Sequence, residues 1–257
     1  TGLPAGPRLG AAAAWLRAAD AAEALPLLGQ SALLPLALQC AAGEGGGAGD
    51  SSDAAGPAGE FLEALLKQSG SSSTALLPVV DAVLALLATA QPAGDAARRA
   101  LAKFVADAVT AWSWLFVQAG APPAPQWQRL LEALLLCASW GVGAAAVSLP
   151  AWMALHGAVL RAGLAAAYAT VLASAMRAFR RASRFPDGFE TWTLEAQDAF
   201  RDFRDELRDA LRRLCVGEAL PCFVAEVCGE VLAPSETWRE REEPLHALSA
   251  VAGAVCQ

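Results

Sequence analysis

The stretch from Thr191 to Cys256 constrains the fold more tightly than any other part of the chain. Within it Phe200, Phe203, Leu207, Leu211 and Leu214 recur at steps of three and four residues. Between them stand Arg201, Asp202, Arg204, Asp205, Glu206, Arg208 and Asp209. At helical periodicity the first set forms a buried face and the second a solvated one. A shorter apolar helix, Val216 to Leu232, and a third helix with a buried stripe complete the stretch. Helices in succession with no strand pattern between them predict a binding scaffold rather than a catalytic pocket.

Composition extends this to the whole chain. Its 257 residues are 55% hydrophobic and 18% charged, enough to bury a large core. Much of the apolar content is Ala, a strong helix former that buries little area. Ile is absent and Tyr168 is the only Tyr, so residues favoured in strands are scarce. An all-α class follows. The net charge of −7 argues against direct nucleic-acid binding and is compatible with basic partners.

The six cysteines, Cys40, Cys137, Cys215, Cys222, Cys228 and Cys256, lie in or at the ends of apolar helical runs. No C-x-x-C pair occurs, and His156 and His246 stand far apart. Reduced thiols packed as small hydrophobes are expected, with no metal site or cofactor, as in the cytosol or nucleus. Cys137, Cys222 and Cys228 in particular are expected to be mostly buried. The chain opens at Thr1 without Met and stops inside a helical pattern at Gln257, as expected of a piece of a longer protein.

From Ala133 to Leu160 no Lys, Arg, Asp or Glu occurs, and a membrane span needs ~20 apolar residues. Gly141 and Gly143 break this run and Pro150 interrupts it. Its Ala and Gly content also drives insertion weakly. A buried helix is expected, with no membrane insertion.

Periodicity and breaks predict eleven helices: 8–19, 28–41, 53–68, 73–90, 94–118, 126–139, 142–161, 164–183, 191–215, 217–232 and 240–256. Gly43–Ser52 reads as a flexible low-complexity insertion. Asp95 is expected to cap the helix after Pro92-Ala93-Gly94, and Phe185-Pro186-Asp187-Gly188 to form a turn. The helices predict an α-α superhelix, a HEAT- or armadillo-like solenoid of antiparallel pairs running as one segment over 1–257, with a right-handed arc. The clearest predicted hairpin is Ala75–Phe116, whose second helix buries Leu101, Phe104, Ala108, Trp112 and Leu115.

The order of these helices resembles that of the β-karyopherins, in particular the importin-13 and transportin-SR branch. Three segments carry the likeness. Leu9–Cys40 is similar to a segment in which a Leu-Gly-x-x-Trp helix leads to a leucine-rich one. Leu130–Leu160 resembles a leucine-rich helix ending in Cys, then a helix with a central Trp. Phe200–Cys256 resembles a Phe-Arg helix, a Cys-Phe helix and an Ala-rich helix. Ala replaces many larger residues here, and the 43–52 insertion is particular to this sequence. The resemblance implies a segment of a nuclear transport receptor, shuttling between nucleus and cytoplasm. It would bind protein cargo on a concave surface, respond to Ran GTPase through the full-length receptor, and touch nucleoporin phenylalanine-glycine repeats. It implies that the second helices, 53–68, 94–118, 142–161, 191–215 and 240–256, line that surface.

Asp198, Asp202, Asp205, Glu206 and Asp209 are the candidate partner-binding residues. The same residues read more simply as a solvated face held by local pairs such as Arg201–Asp205. Trp114 and Trp238 read as packed between repeats, with exposure the alternative. No P-loop, G-x-S-x-G, H-E-x-x-H or dinucleotide fingerprint occurs, so no enzyme is expected. The competing reading is an α-solenoid interaction scaffold unrelated to transport.

Overall fold

A computed structural model describes residues 4–41, 51–67, 73–89, 94–117, 125–215, 219–234 and 237–255. Among them every regular element is a helix and no strand occurs. The residues gather into two compact units, Thr1–Cys137 and Ala138–Gln257.

The first unit is built from α1 (Ala5–Ala18), α2 (Ala21–Gly29), α3 (Leu33–Ala41), α4 (Ser51–Lys67), α5 (Ser73–Thr89), α6 (Asp95–Ala111) and α7 (Pro125–Ala138). The helix expected over 28–41 is two elements. α2 and α3 meet at a bend of 71°. The bend has a local cause. Ser31 Oγ donates to the Leu28 carbonyl at 2.9 Å and accepts the Leu33 N–H at 3.3 Å, satisfying backbone groups freed at the break. α2 itself was not anticipated, because Pro26 reads as a helix breaker yet lies inside it.

Helices of this unit pack on neighbours distant in sequence. α1 lies against α4, α2 against α5, and α3 against both α4 and α6. The hairpin expected at Ala75–Phe116 is not a main packing pair, because α5 docks chiefly on α2 and α6 on α3 and α4. One contact explains the first preference. A Cβ on Gly29 would lie 2.6 Å from both Cβ and the carbonyl oxygen of Pro78, so only Gly lets α2 and α5 approach this closely. The expected buried residues of α6 are all buried, including Phe104 and Trp112. The α-helix ends at Ala111 rather than running to 118, and Ser113–Phe116 form a 3-10 turn. Trp127 of α7 meets Trp112 and Phe116 edge-on at 6.2 and 6.0 Å. Asp95 is the first residue of α6 and does not cap it. Gly94 takes the cap position, and Asp95 pairs with Arg98 instead.

The second unit holds α8 (Val142–Arg161), α9 (Ala165–Ala182), α10 (Leu194–Leu214), α11 (Ala219–Leu232) and α12 (Trp238–Val255). Each of α8, α9 and α10 also contacts the helix two places along: α8 meets α10, α9 meets α11, and α10 meets α12. α8 passes unbroken through Pro150. It is long and apolar enough to cross a membrane, but Ser148, Trp152, Leu155 and His156 are buried against the protein, as in a core helix. The turn at 185–188 is present, with Gly188 at φ 73°, a left-handed conformation suited to Gly.

The 43–50 part of the expected insertion and Cys256 lie outside the described residues. Ser51 and Ser52, assigned to the insertion from sequence, begin α4.

Candidate functional site

The amphipathic helix recognised first in the sequence is α10. Thr193 caps it, its hydroxyl accepting the Ala196 N–H at 3.3 Å. Glu195 in the first turn and Arg212 and Arg213 in the last suit the helix dipole. Phe200, Phe203, Leu207, Leu211 and Leu214 are all buried, as the periodicity predicts. They pack chiefly towards α12 and α8, and less on α9. The expected packing on 217–232 is therefore corrected: α11 contacts α12 and α9 instead, because α10 stacks with alternate helices.

The face of α10 turned to α12 carries Arg204, Arg208 and Arg212, spaced by four residues. Arg204 grips the Glu242 carboxylate through both terminal nitrogens, with Nη1 donating to Oε2 at 2.9 Å. Arg208 Nη2 lies 3.3 Å from His246 Nε2. Arg212 Nε donates to the Ala250 carbonyl at 3.0 Å. The partners on α12 are also four apart, and each rung joins residues 38 apart in sequence. A constant offset means that α10 and α12 run parallel and in fixed register.

The side of α12 away from α10 is anchored by a buried charge cluster. Glu243 is only 1% exposed and Arg180 of α9 only 3%. Arg180 Nε donates to Glu243 Oε1 at 2.7 Å, and its Nη2 donates to Glu230 of α11. Arg184 Nε donates to Glu243 Oε2 at 3.4 Å. Burial opposes the Arg180 charge, but Glu243 and Glu230 outweigh it and hold the guanidinium protonated. Arg180 thus ties α9, α11 and α12 together. At the start of α12, Arg239 binds Asp187 at 2.8 Å and Glu190 at 3.0 Å. Phe185, Phe189, Trp192 and Phe200 form an aromatic cluster here. Arg204 stacks 4.4 Å from the Phe185 centroid, and Trp238 lies 5.8 Å from that ring.

The outer face of α12 borders an open groove of about 780 Å³ lined by Thr237, Trp238, Arg241, Glu242, Leu245, His246 and Ser249. Trp238 is 59% exposed and Leu245 51%. The expectation that Trp238 and Trp114 are packed away is thus overturned. Trp114 falls in the 3-10 turn that buries Leu115 and Phe116, and is itself exposed. Trp238 stands at the first turn of α12, touching Phe185 with part of its ring and leaving the rest to solvent.

All five predicted site carboxylates, Asp198, Asp202, Asp205, Glu206 and Asp209, are exposed on the outer face of α10. Three pair with an arginine three residues further along the helix: Asp198 with Arg201, Asp205 with Arg208 and Asp209 with Arg212. The expected Arg201–Asp205 pair is replaced by the first of these, with Arg201 reaching Asp198 at 2.6 Å. Asp205 is occupied by Arg208. None of the predicted carboxylates lines the α12 groove, and three of the five are paired within α10. Leu245 is the residue of this face that the sequence reading passed over, while Trp238 was expected to be packed and His246 was weighed only as a metal ligand. Trp238 and Leu245 stand seven apart, a helical spacing that points to a shared face.

Among the described residues no group of three or more His, Cys, Asp or Glu could hold a metal ion. Cys40, Cys137 and Cys215 are buried free thiols, and burial pushes Cys137 and Cys215 up to about 12, which leaves them inert. Cys222 is exposed and Cys228 half-buried, contrary to expectation, because α11 turns Phe223 and Val227 inward instead. No protein-family model, curated protein or solved structure matches this chain.

Proposed function

We propose that this chain is a helical-repeat scaffold that binds a protein partner on the face shared by α10 and α12. The observation that carries this reading is the fixed 38-residue offset between these parallel helices, beside an open groove with an exposed Trp and Leu. In HEAT-like solenoids, equivalent helices of successive repeats stack side by side in this way, and the stacked face is the extended binding surface. An open groove with aromatic and aliphatic anchors and a polar rim suits a protein segment.

Within that reading, the sequence resemblance supports a segment of a nuclear transport receptor of the β-karyopherin type. Protein cargo would occupy the α10–α12 face. Ran GTPase would alter cargo affinity through the full-length receptor, and phenylalanine-glycine repeats of nucleoporins would provide weak contacts in transit. Such control needs only that Ran favours one solenoid curvature over another. The three segments, in order, support this more specific reading; a scaffold unrelated to transport accommodates the same geometry.

Two measurements separate the readings. Trp238→Ala combined with Leu245→Ala, both exposed, should leave thermal stability nearly unchanged and abolish capture of the partner. Retained capture would remove the α12 face from the proposal. A pull-down of the full-length protein with Ran loaded with GTP or GDP should show GTP-dependent binding for a transport receptor. Equal or no binding would leave the scaffold reading and withdraw the transport one.

A further inference from the structure

The rungs between α10 and α12 are chemically unequal. The Arg204 rung ends on a carboxylate and the Arg212 rung on a backbone carbonyl, both oxygen acceptors. The Arg208 rung ends on an imidazole nitrogen. Arginine can only donate, so His246 Nε2 must be the acceptor and the ring proton must sit on Nδ1. This hydrogen bond exists only while His246 is neutral.

We propose that the middle rung is a proton-sensitive latch: protonation of His246 converts a hydrogen bond into a contact between two cations and loosens α12 from α10. The surroundings make the latch sensitive. On α10, Arg204 and Arg208 face the ring, and Asp205 lies next to Arg208, accepting from its Nη1 at 2.8 Å. On α12 itself, Glu242 lies one turn away and is already gripped by Arg204. The charged groups that α9, the turn after it and α11 bring to α12 (Arg180, Arg184, Glu226 and Glu230) gather around Glu243 and its neighbours. Among the described residues the carboxylates that favour a charged His246 are Glu242 and Asp205; each is already engaged by an arginine, and burial with Arg204 and Arg208 outweighs them.

Burial, then Arg204 and Arg208, hold His246 down at about 4 in the docked state. Once α12 lifts, the imidazole regains its ordinary value near ~6.5. The sign follows from this depression. Docking is fully supported above the undocked value, and its support is lost as the pH falls from ~6.5 towards 4. The buried Arg180–Glu243 cluster holds the other side of α12, so the helix hinges rather than detaches. Movement of this kind would widen the groove beside Trp238 and Leu245.

The test is hydrogen exchange of the α12 amides in the full chain, corrected for intrinsic exchange rates, at pH 7 and pH 5. Wild-type protein should lose protection in α12 by on the order of tenfold more than in α8. His246→Gln keeps a side-chain acceptor for Arg208 but cannot be protonated in this range, so α12 should then track α8 at both pH values. Carboxylate protonation is common to both proteins and cancels in the comparison. Equal acid loosening of α12 in wild type and His246→Gln would overturn the latch. So would α12 protection in wild type that follows α8 throughout.

Discussion

The two units of this chain are held together by different physics. In Thr1–Cys137 the helices meet through apolar contact and close approach. Leu9, Leu16, Leu25, Phe61 and Phe104 fill the interior, and Gly29 lets Pro78 sit against α2. Arg17–Glu60, with both side chains exposed, is an ion pair that links two helices there. In Ala138–Gln257 the apolar layer is overlaid by charges that cross from helix to helix. Arg177, Arg180, Arg184, Arg204 and Arg239 each reach a carboxylate on another element. The contrast separates shape from register. Alanine-rich faces pack in many registers at similar energy, whereas a buried Arg–Glu pair is satisfied in one. Breaking such a pair strands a buried charge, so it penalises the wrong arrangement even where its net stabilisation is small.

Several changes would break or sharpen this contrast. The largest effect is expected where shape dominates inside the charged unit. Phe203→Ala removes a ring that is 2% exposed and should cost ~3–5 kcal/mol, read as a fall in the denaturation midpoint. A loss under ~1 kcal/mol would mean that the α10 core is far looser than its burial implies. Next comes Gly29→Ala in the apolar unit. The added methyl meets the Pro78 backbone, which cannot yield as a flexible side chain would, so about 1–3 kcal/mol should be lost. Hydrogen exchange should place that loss in α2 and α5, not in α10 or α12. Uniform loosening of both units would deny that they are held independently. Smaller still is Arg17→Ala. An exposed pair of this kind contributes ~0.2–1 kcal/mol, and the effect should shrink with added salt. The smallest effect on stability is expected from Asp202→Lys with Glu206→Lys, both on the exposed outer face of α10. Helical content by circular dichroism should not change, while affinity for a basic partner should fall and lose its salt dependence. Unchanged binding would leave the α10 carboxylates a solvated face and shift the candidate site wholly onto α12.

The all-helical class was legible because Ile is absent, Tyr168 is the only Tyr and the apolar steps are helical throughout. α10 was legible to within a few residues, since its two faces differ so sharply in polarity. Packing partners were not. The apolar faces of α5 and α6 say that they are buried but not against what, and Gly29 gave no sign that Pro78 lay opposite. The same ambiguity hid the exposure of Cys222, because a thiol on an apolar helix looks alike whichever way the helix turns. The candidate carboxylates were placed on the solvent face correctly, since periodicity fixes that. Their pairing was missed because Asp205 has arginines available in both chain directions. Glu243 was the least legible residue of all. Within Arg-Glu-Arg-Glu-Glu it reads as one more surface charge, and only the approach of Arg180, 63 residues away, makes it the buried centre of the unit.

The claim that buried charge sets the register of the second unit is tested most directly by a double-mutant cycle on Arg180 and Glu243. Arg180→Met alone leaves Glu243 buried without its main partner and should destabilise by ~3–5 kcal/mol. Glu243→Leu combined with it replaces the pair by apolar groups and should recover most of that loss, so the two changes are strongly non-additive. The account predicts a coupling well above ~1 kcal/mol, with hydrogen-exchange protection restored across α9, α11 and α12 in the double variant. Additive losses, with the double variant less stable than either single one, would contradict it.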